Sequence, residues 1–379
     1  SLSSNFYNLE IKKYVIDFPE DVGLYGAFTE LKESILWATS QANFYLLDKD
    51  KKPNKIALPA ITTHRDSFLA ATDDDFLADR FFALKDISLL KKQGFYIFYA
   101  SYHYWNDEKQ CFTVRLSKIT FSDNELNNNN FSDNWNKIYE SSPCLPLFEG
   151  DEPFKGDEAG GRIAWITDKK LLLTIGHHEF SGLNAEQHFS GQDIHDHAQD
   201  KSSSYGKIIE INIDDNSSSI YSLGHRNPQG LLVLNNGTIL STEHGPKGGD
   251  ELNIITKGGN YGWPLATYGT QYGELKWPTA IAGSFHNGYI EPMYAWVPSI
   301  AVSNLISVKG KMFEKWKGDL LIGSMRARNI YHIKYKNGRV IYSEPLAVDL
   351  DVRDIMEMNN GTIAAMNRRS ELMIISINN

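Results

Sequence analysis

The sequence holds only 2 cysteines, Cys111 and Cys144, in 379 residues. No CxxC pair or other thiolate metal spacing can be built from them, which excludes a zinc ribbon. An even count permits one disulfide in an exported protein, and two buried thiols fit it equally. Basic blocks are lacking too. Lys plus Arg number 38 against 47 Asp plus Glu, a net charge of -9. The basic footprint of a nucleic-acid surface is therefore missing. Apolar runs such as Leu171-Leu172-Leu173 are strand-sized, far below the roughly 18 residues that span a membrane as a helix. The chain opens on Ser1-Leu2-Ser3-Ser4 with no leader-like segment, which decides nothing about export. No Gly-x-Ser-x-Gly elbow occurs, which disfavours a serine hydrolase. No Gly-x-Gly-x-x-Gly opens a helix after a strand, which disfavours a dinucleotide site.

Helical periodicity is scarce as well. What fills the chain is a succession of β-branched and aromatic runs of four to eight residues, separated by Gly, Asn and Asp. Asn236-Gly237, Asn337-Gly338 and Asn360-Gly361 mark hairpin turns beside apolar runs. One unit recurs: a short apolar strand followed by another. It begins at Ile35, Tyr96, Leu171, Ile239, Leu320 and Ile363, at separations of 43 to 81 residues. Six irregular repeats predict an all-β fold, a six-bladed β-propeller with four-stranded antiparallel blades, as a single domain over 1–379. The strand around Lys13-Tyr14-Val15-Ile16 is placed to complete the last blade and close the ring, which removes exposed sheet edges. Asn124–Asn134 reads as a solvated loop tip. Trp105, Trp135, Trp165, Trp277 and Trp316 read as packing residues. Arg368-Arg369 reads as a solvated turn.

Chemistry concentrates in Gly224-His225-Arg226-Asn227-Pro228-Gln229-Gly230, in Glu243-His244-Gly245-Pro246-Lys247-Gly248-Gly249-Asp250-Glu251, and in Gly258–Pro264. Arg226, Asn227 and Gln229 supply a fixed cation and two amides, suited to an anionic, oxygen-rich ligand. Gly245-Pro246 makes a rigid turn whose carbonyls can face a hard cation, and Asp250 and Glu251 add carboxylates. The plainer reading of the same residues is a polar blade turn. A loop at 177–204 carries His177, His178, His188, His195 and His197, five of the 11 histidines. His195-Asp196-His197 has the alternation of a metal-ligating pair. A solvated insertion accounts for it more simply, and the segment is also placed to cover a site.

These blocks resemble the glucose/sorbosone dehydrogenase family of soluble, PQQ-dependent sugar dehydrogenases. Further matching stretches are Gly160-Gly161-Arg162, Ala198-Gln199-Asp200 leading to Tyr205-Gly206-Lys207-Ile208, Gly323-Ser324-Met325-Arg326 and Val352-Arg353-Asp354-Ile355. The likeness runs from about Gly156 to Asp354 and is densest over 205–264. It implies a six-bladed propeller that oxidises an aldose or related alcohol and passes electrons to an external acceptor. It implies PQQ contacts from Arg226, Asn227, His244, Trp296, Ser299, Arg326 and Arg353. It implies calcium on the carbonyls of Gly245 and Pro246, with a second, structural calcium at Glu251 and Tyr261. By the same analogy the protein is periplasmic or secreted.

The departures from the family pattern matter as much. Where the resemblance expects the histidine base, two residues before Gly160-Gly161-Arg162, the chain has Glu158. Where it expects the orienting aspartate, it has His177. The pair reads as a swapped dyad, Glu158 and His177 in contact at the channel mouth, with Arg226 beside them and His178 as the alternative base. Asp351 stands where a cofactor-binding cation is expected, and an early pocket glutamine is missing around Ala78–Asp86. Two other functions stay open: a propeller that has lost cofactor or base and binds sugar or protein, and a calcium-dependent lactonase-type hydrolase.

Overall fold

The computed structural model describes residues 2–19, 26–73, 75–148, 156–178, 197–270 and 286–378. Six antiparallel sheets follow one another along the chain, each with at least four strands. Their first strands are Gly26–Leu31, Leu84–Lys92, Gly160–Trp165, Pro228–Val233, Val302–Ser307 and Val352–Glu357. Each of these packs beside the next, and the sixth packs beside the first, so together they line a central channel. The fold is a six-bladed β-propeller.

The apolar runs visible in the sequence are the second strands of the blades, for example Lys170–Ile175 and Ile239–Glu243. Both faces of such a strand are covered by neighbouring blades, which is why it reads as continuous apolar sequence. Six hydrophobic clusters fill the gaps between successive blades. One joins Tyr99, Trp105 and Phe112 to Leu171, Leu173 and Ile209 across the second and third blades. Another joins Trp37 and Tyr45 to Met366 and Leu372 across the sixth and first. Trp105 and Trp316 are fully buried, while Trp277 lies outside the described residues.

The strand Asn8–Val15 pairs with Glu371–Ile377, from Leu9 opposite Ile377 to Val15 opposite Glu371. The start of the chain thus supplies the outer strand of the sixth blade. A disulfide joins Cys111, on the third strand of the second blade, to Cys144, 33 residues on. The expected loop tip at Asn124–Asn134 instead begins with a helix, Asp123–Asn128. A capping box starts it: Ser122 accepts from the Glu125 N–H and Glu125 from the Ser122 N–H. No helix among the described residues is long and apolar enough to cross a membrane.

The channel is plugged beneath its mouth. Arg162, 3% exposed, pairs with Asp86 at 3.1 Å and Asp354 at 3.0 Å. It also donates to the carbonyls of Gln229 (2.8 Å) and Arg353 (3.1 Å). One guanidinium therefore ties the inner strands of the second, third, fourth and sixth blades, and it forms a polar floor for the space above.

Candidate functional site

Above that floor, where the inner strands begin, lies a cavity of about 330 Å³. Glu158, Arg226, Asn227, His244, Gly245, Pro246, Ser299, Arg326 and Arg353 all line it. The cations Arg80 and Lys85 line it as well, and Asp157 is its second acid. Among the described residues, five basic side chains against two carboxylates make a strongly anion-seeking space.

Glu158 is brought there by its backbone. It adopts a left-handed conformation, φ 48°, and its carbonyl lies where a side chain at Gly176 would be: a Cβ there would sit 1.8 Å from the Glu158 oxygen. That close approach sets His177 beside the Glu158 carboxylate. His177 Nε2 contacts one carboxylate oxygen and Arg226 the other. Burial pushes the Glu158 carboxyl up, but the Arg226 guanidinium and then His177 outweigh it and hold it below the ordinary carboxylate range. His177 is 2% exposed and does not line the cavity. It stands behind Glu158, which is the member of the pair that lines the cavity.

His178 is turned the other way. Its Nδ1 bonds the Gly176 carbonyl (2.9 Å) and its Nε2 faces His103 Nε2 (3.1 Å). Burial lowers its pKa to about 3. It is a neutral interior residue and offers no base to the cavity.

Arg226 is held from below by a buried relay. Glu243 accepts the Arg226 backbone N–H (2.9 Å) and the His225 ring (2.8 Å), and His225 reaches Ser222 (2.8 Å). The guanidinium itself donates to the Gly245 carbonyl at 3.0 Å and lies over Trp263, 5.3 Å from the ring centre. The carbonyl expected on calcium is therefore engaged by a cation of the protein. Asp250 organises the adjoining turn. It accepts from the Gly245 N–H (3.1 Å), the Ser299 hydroxyl (2.7 Å) and the N–H groups of Ile300 (3.0 Å) and Val302 (3.3 Å). Ser299 thus lines the cavity with its hydroxyl already committed. Asn227 accepts from Gln229 (2.6 Å) and from the Gly160 N–H (3.3 Å), which fixes its amide at the wall. Burial lowers the His244 pKa, and the neutral ring donates to the Val302 carbonyl.

Four expected site residues lie outside this cavity. His177 is behind Glu158, as described. Trp296 is packed between the fourth and fifth blades against Tyr294 and Tyr331, because its strand faces it into the inter-blade core. Glu251 and Tyr261 line a separate small void of about 10 Å³ shared with Glu243. Burial pushes the Glu251 carboxyl up, and His286 only partly offsets this. The Tyr261 hydroxyl donates to the Ile254 carbonyl at 2.6 Å, so it is not turned toward that void. Among the described residues no three His, Cys, Asp or Glu side chains converge as a metal site. Asp351 does not face the cavity: its carboxylate is taken by Arg368 (2.9 Å) and Asn367 (3.0 Å). Arg368 is accordingly an ion-pair partner rather than only a solvated turn. His197 bonds Ser203 (3.0 Å), while His188, His195 and Asp196 lie outside the described residues.

Sequence reasoning missed Lys85 and Arg162. The available signal was a charged residue inside a short buried strand: Lys85-Asp86 between Leu84 and Ile87, and Arg162 between Gly161 and Ile163. In a blade whose inner edge lines a channel, such residues point at the axis.

A six-bladed propeller with a cationic cavity at one end of its axis defines a class, and the comparisons narrow it. The profile of the Glucose / Sorbosone dehydrogenase family matches residues 84–375, and the chain belongs to that family. It is 29% identical over 242 residues to the aldose sugar dehydrogenase YliI of Escherichia coli, covering 59% of this chain and 61% of that one. It is 40% identical over 135 residues to the quinoprotein glucose dehydrogenase B of Acinetobacter calcoaceticus, covering 30% of this chain and 27% of that one. The matches thus span about three fifths and about a quarter of these relatives' lengths. In fold, it resembles the PQQ-bound form of an aldose sugar dehydrogenase from Streptomyces coelicolor. That match has TM-score 0.65 and 16% identity, over 98% of this chain and 99% of that one.

Proposed function

We propose that this protein is a PQQ-dependent dehydrogenase that oxidises an aldose or related alcohol and delivers the electrons to an external acceptor. The observation that carries this reading is the cavity's charge: among the described residues, Arg80, Lys85, Arg226, Arg326 and Arg353 oppose Asp157 and Glu158 around about 330 Å³. That complement and that size suit a planar tricarboxylate. Arg226, Arg326 and Arg353 would hold its carboxylates, with the Asn227 amide at the wall. The quinone, when bound, accepts a hydride from the substrate carbon.

The protein's own part is proton and position. Glu158 faces the cavity and receives the hydroxyl proton, with His177 behind it to share the charge. Clamped by Arg226, Glu158 is a weak base. As Arg226 turns toward an incoming carboxylate, the main influence holding the Glu158 pKa down weakens and its proton affinity rises. The calcium part of the reading asks more of the residues present. Gly245 can offer its carbonyl to a cation only once Arg226 releases it, so no step is assigned to that ion. At the second site Glu251, beside Glu243, would supply the carboxylates. The disulfide supports an exported location.

The test is uptake and turnover. The apoprotein is titrated with PQQ with and without calcium, and dye reduction is followed across a panel of aldoses. Uptake with turnover of at least one sugar is expected. The absence of any PQQ binding overturns the reading. The Arg226–Glu158 contact favours one alternative, a propeller that binds sugar without a cofactor, since it neutralises a cation the quinone needs. Sugar binding that persists while PQQ is excluded would select that alternative.

A further inference from the structure

Lys85 is unlike the other cations of the cavity. Arg326 is exposed at the rim, whereas Lys85 is buried on the inner strand of the second blade. Its Nζ donates to the Phe81 carbonyl (2.5 Å) and the Gly156 carbonyl (3.3 Å). An ammonium has three N–H donors, so one is left on a side chain that lines the cavity. Its stem stands there because residue 161 is glycine: a Cβ at Gly161 would lie 2.3 Å from the Lys85 Cβ, and Gly161 itself has φ +101°. Arg353, from the inner strand of the sixth blade, lines the same cavity, and after burial its charge is what most disfavours the Lys85 ammonium, while Asp157 favours it. Asp157 offsets only part of this, and a ligand carboxylate between the two cations would offset more.

We propose that Lys85 and Arg353 form a clamp for a single carboxylate of the cavity's ligand, making Lys85 an anion-binding residue of this chain. The inference rests on the reading of the cavity as a polycarboxylate site and deepens it by naming the group that receives one carboxylate. Geometry separates it from a purely structural role. Two of the three donors already tether the loop at Gly156 to the helix ending at Phe81, which is all a structural lysine would need. The third is left for the cavity side, where Asp157 stands as well.

The experiment is a double-mutant cycle on binding. Wild type, K85M, R353M and K85M/R353M are titrated with PQQ by absorbance, and with citrate, a tricarboxylate without a quinone, by calorimetry. Losing one charge-assisted hydrogen bond of about 1.5–3 kcal/mol corresponds to about a tenfold to hundredfold weaker complex. K85M is expected to bind at least about tenfold more weakly, with K85R retaining most of the affinity. The double variant should lose less than the product of the two single losses, since both residues hold one group. If K85M is poorly folded, K85Q, which keeps a polar but uncharged side chain there, takes its place in the same cycle. Unchanged binding of both probes by folded K85M, or strictly multiplicative losses, overturns the clamp and leaves the dehydrogenase reading standing. Wild-type binding of citrate but not PQQ, lost in K85M, removes the quinone reading and leaves the clamp. Wild type binding neither removes both.

Discussion

Replacing Arg162 by methionine removes the cation that ties the channel floor together. Its side chain is almost fully buried and its partners, Asp86 and Asp354, are both buried. Exposed ion pairs contribute about 0–1 kcal/mol, but breaking a buried one strands the partners, at about 3–5 kcal/mol. Two carboxylates and the carbonyls of Gln229 and Arg353 lose their donor here, so the upper part of that range applies. Asp86 is already raised to about 6 by burial, with Arg162 the main opposing influence. Without Arg162 its folded pKa rises further above the unfolded value. A raised carboxyl adds stability that is complete below the unfolded pKa and is lost as pH rises through the folded one. The deficit of the variant should therefore be small near pH 4 and largest at pH 8. For a chain of this length the entropy of unfolding converts 3–5 kcal/mol into a loss of about 4–6 °C. Thermal melts at both pH values, followed by far-ultraviolet circular dichroism, measure it. Adding D86N and D354N should recover part of the loss, since neutral amides no longer need the guanidinium. A variant melting within about 1 °C of wild type at pH 8, or one worse at pH 4 than at pH 8, would refute the argument.

Other outcomes follow from the same physics. The C111S/C144S variant loses a cross-link over 33 residues. Chain entropy puts that at about 3–4 kcal/mol, read as a melting temperature about 4 °C lower. Asp250→Ala frees four donors at once and should disorder the turn carrying Gly245 and Pro246. The loss should be about 2–4 kcal/mol, together with weaker anion uptake, and melts plus PQQ titration check both. Burial and Arg353 lower Lys85 to about 7. It also faces Asp157, which opposes that shift, and the neutral rings of His103 and His178, with Arg80 and Glu158 on the same cavity wall. Its charge, and with it anion affinity, should fall as pH rises through about 7 in wild type and not in K85R, as binding isotherms at pH 6 and 8 will show.

Legibility in the sequence followed burial. Strands such as Lys170–Ile175 are covered by neighbouring blades, so Leu171, Leu172, Leu173 and Ile175 are fully buried and the run announces itself. The inner strands do not. Gly160–Trp165, Pro228–Val233 and Val352–Glu357 interleave core residues with Arg162, Gln229 and Arg353, because one edge of each faces a polar axis. Their mixed composition hides them as strands, yet that same mixture is what marks them as channel-lining. The contact between Glu158 and His177 was readable because two local patterns, each tied to a glycine, put both residues at the ends of neighbouring strands. The direction of each side chain was not readable. Asp351 and Arg353 are two residues apart, so on an ideal strand they would share a face. The strand begins only at Val352, however, and Asp351 belongs to the preceding turn, where Arg368 and Asn367 claim it. Lys85 was hidden by a bulge. The register of its strand against the next one shifts between Leu84 and Asp86, so the alternation of faces breaks at Lys85, and only the closure of the ring puts it on the cavity that Arg353 also lines. A charge's role in a propeller is thus set by whether it falls inside the inner strand or one residue before it, a distinction of about 3.3 Å along the chain that composition does not carry.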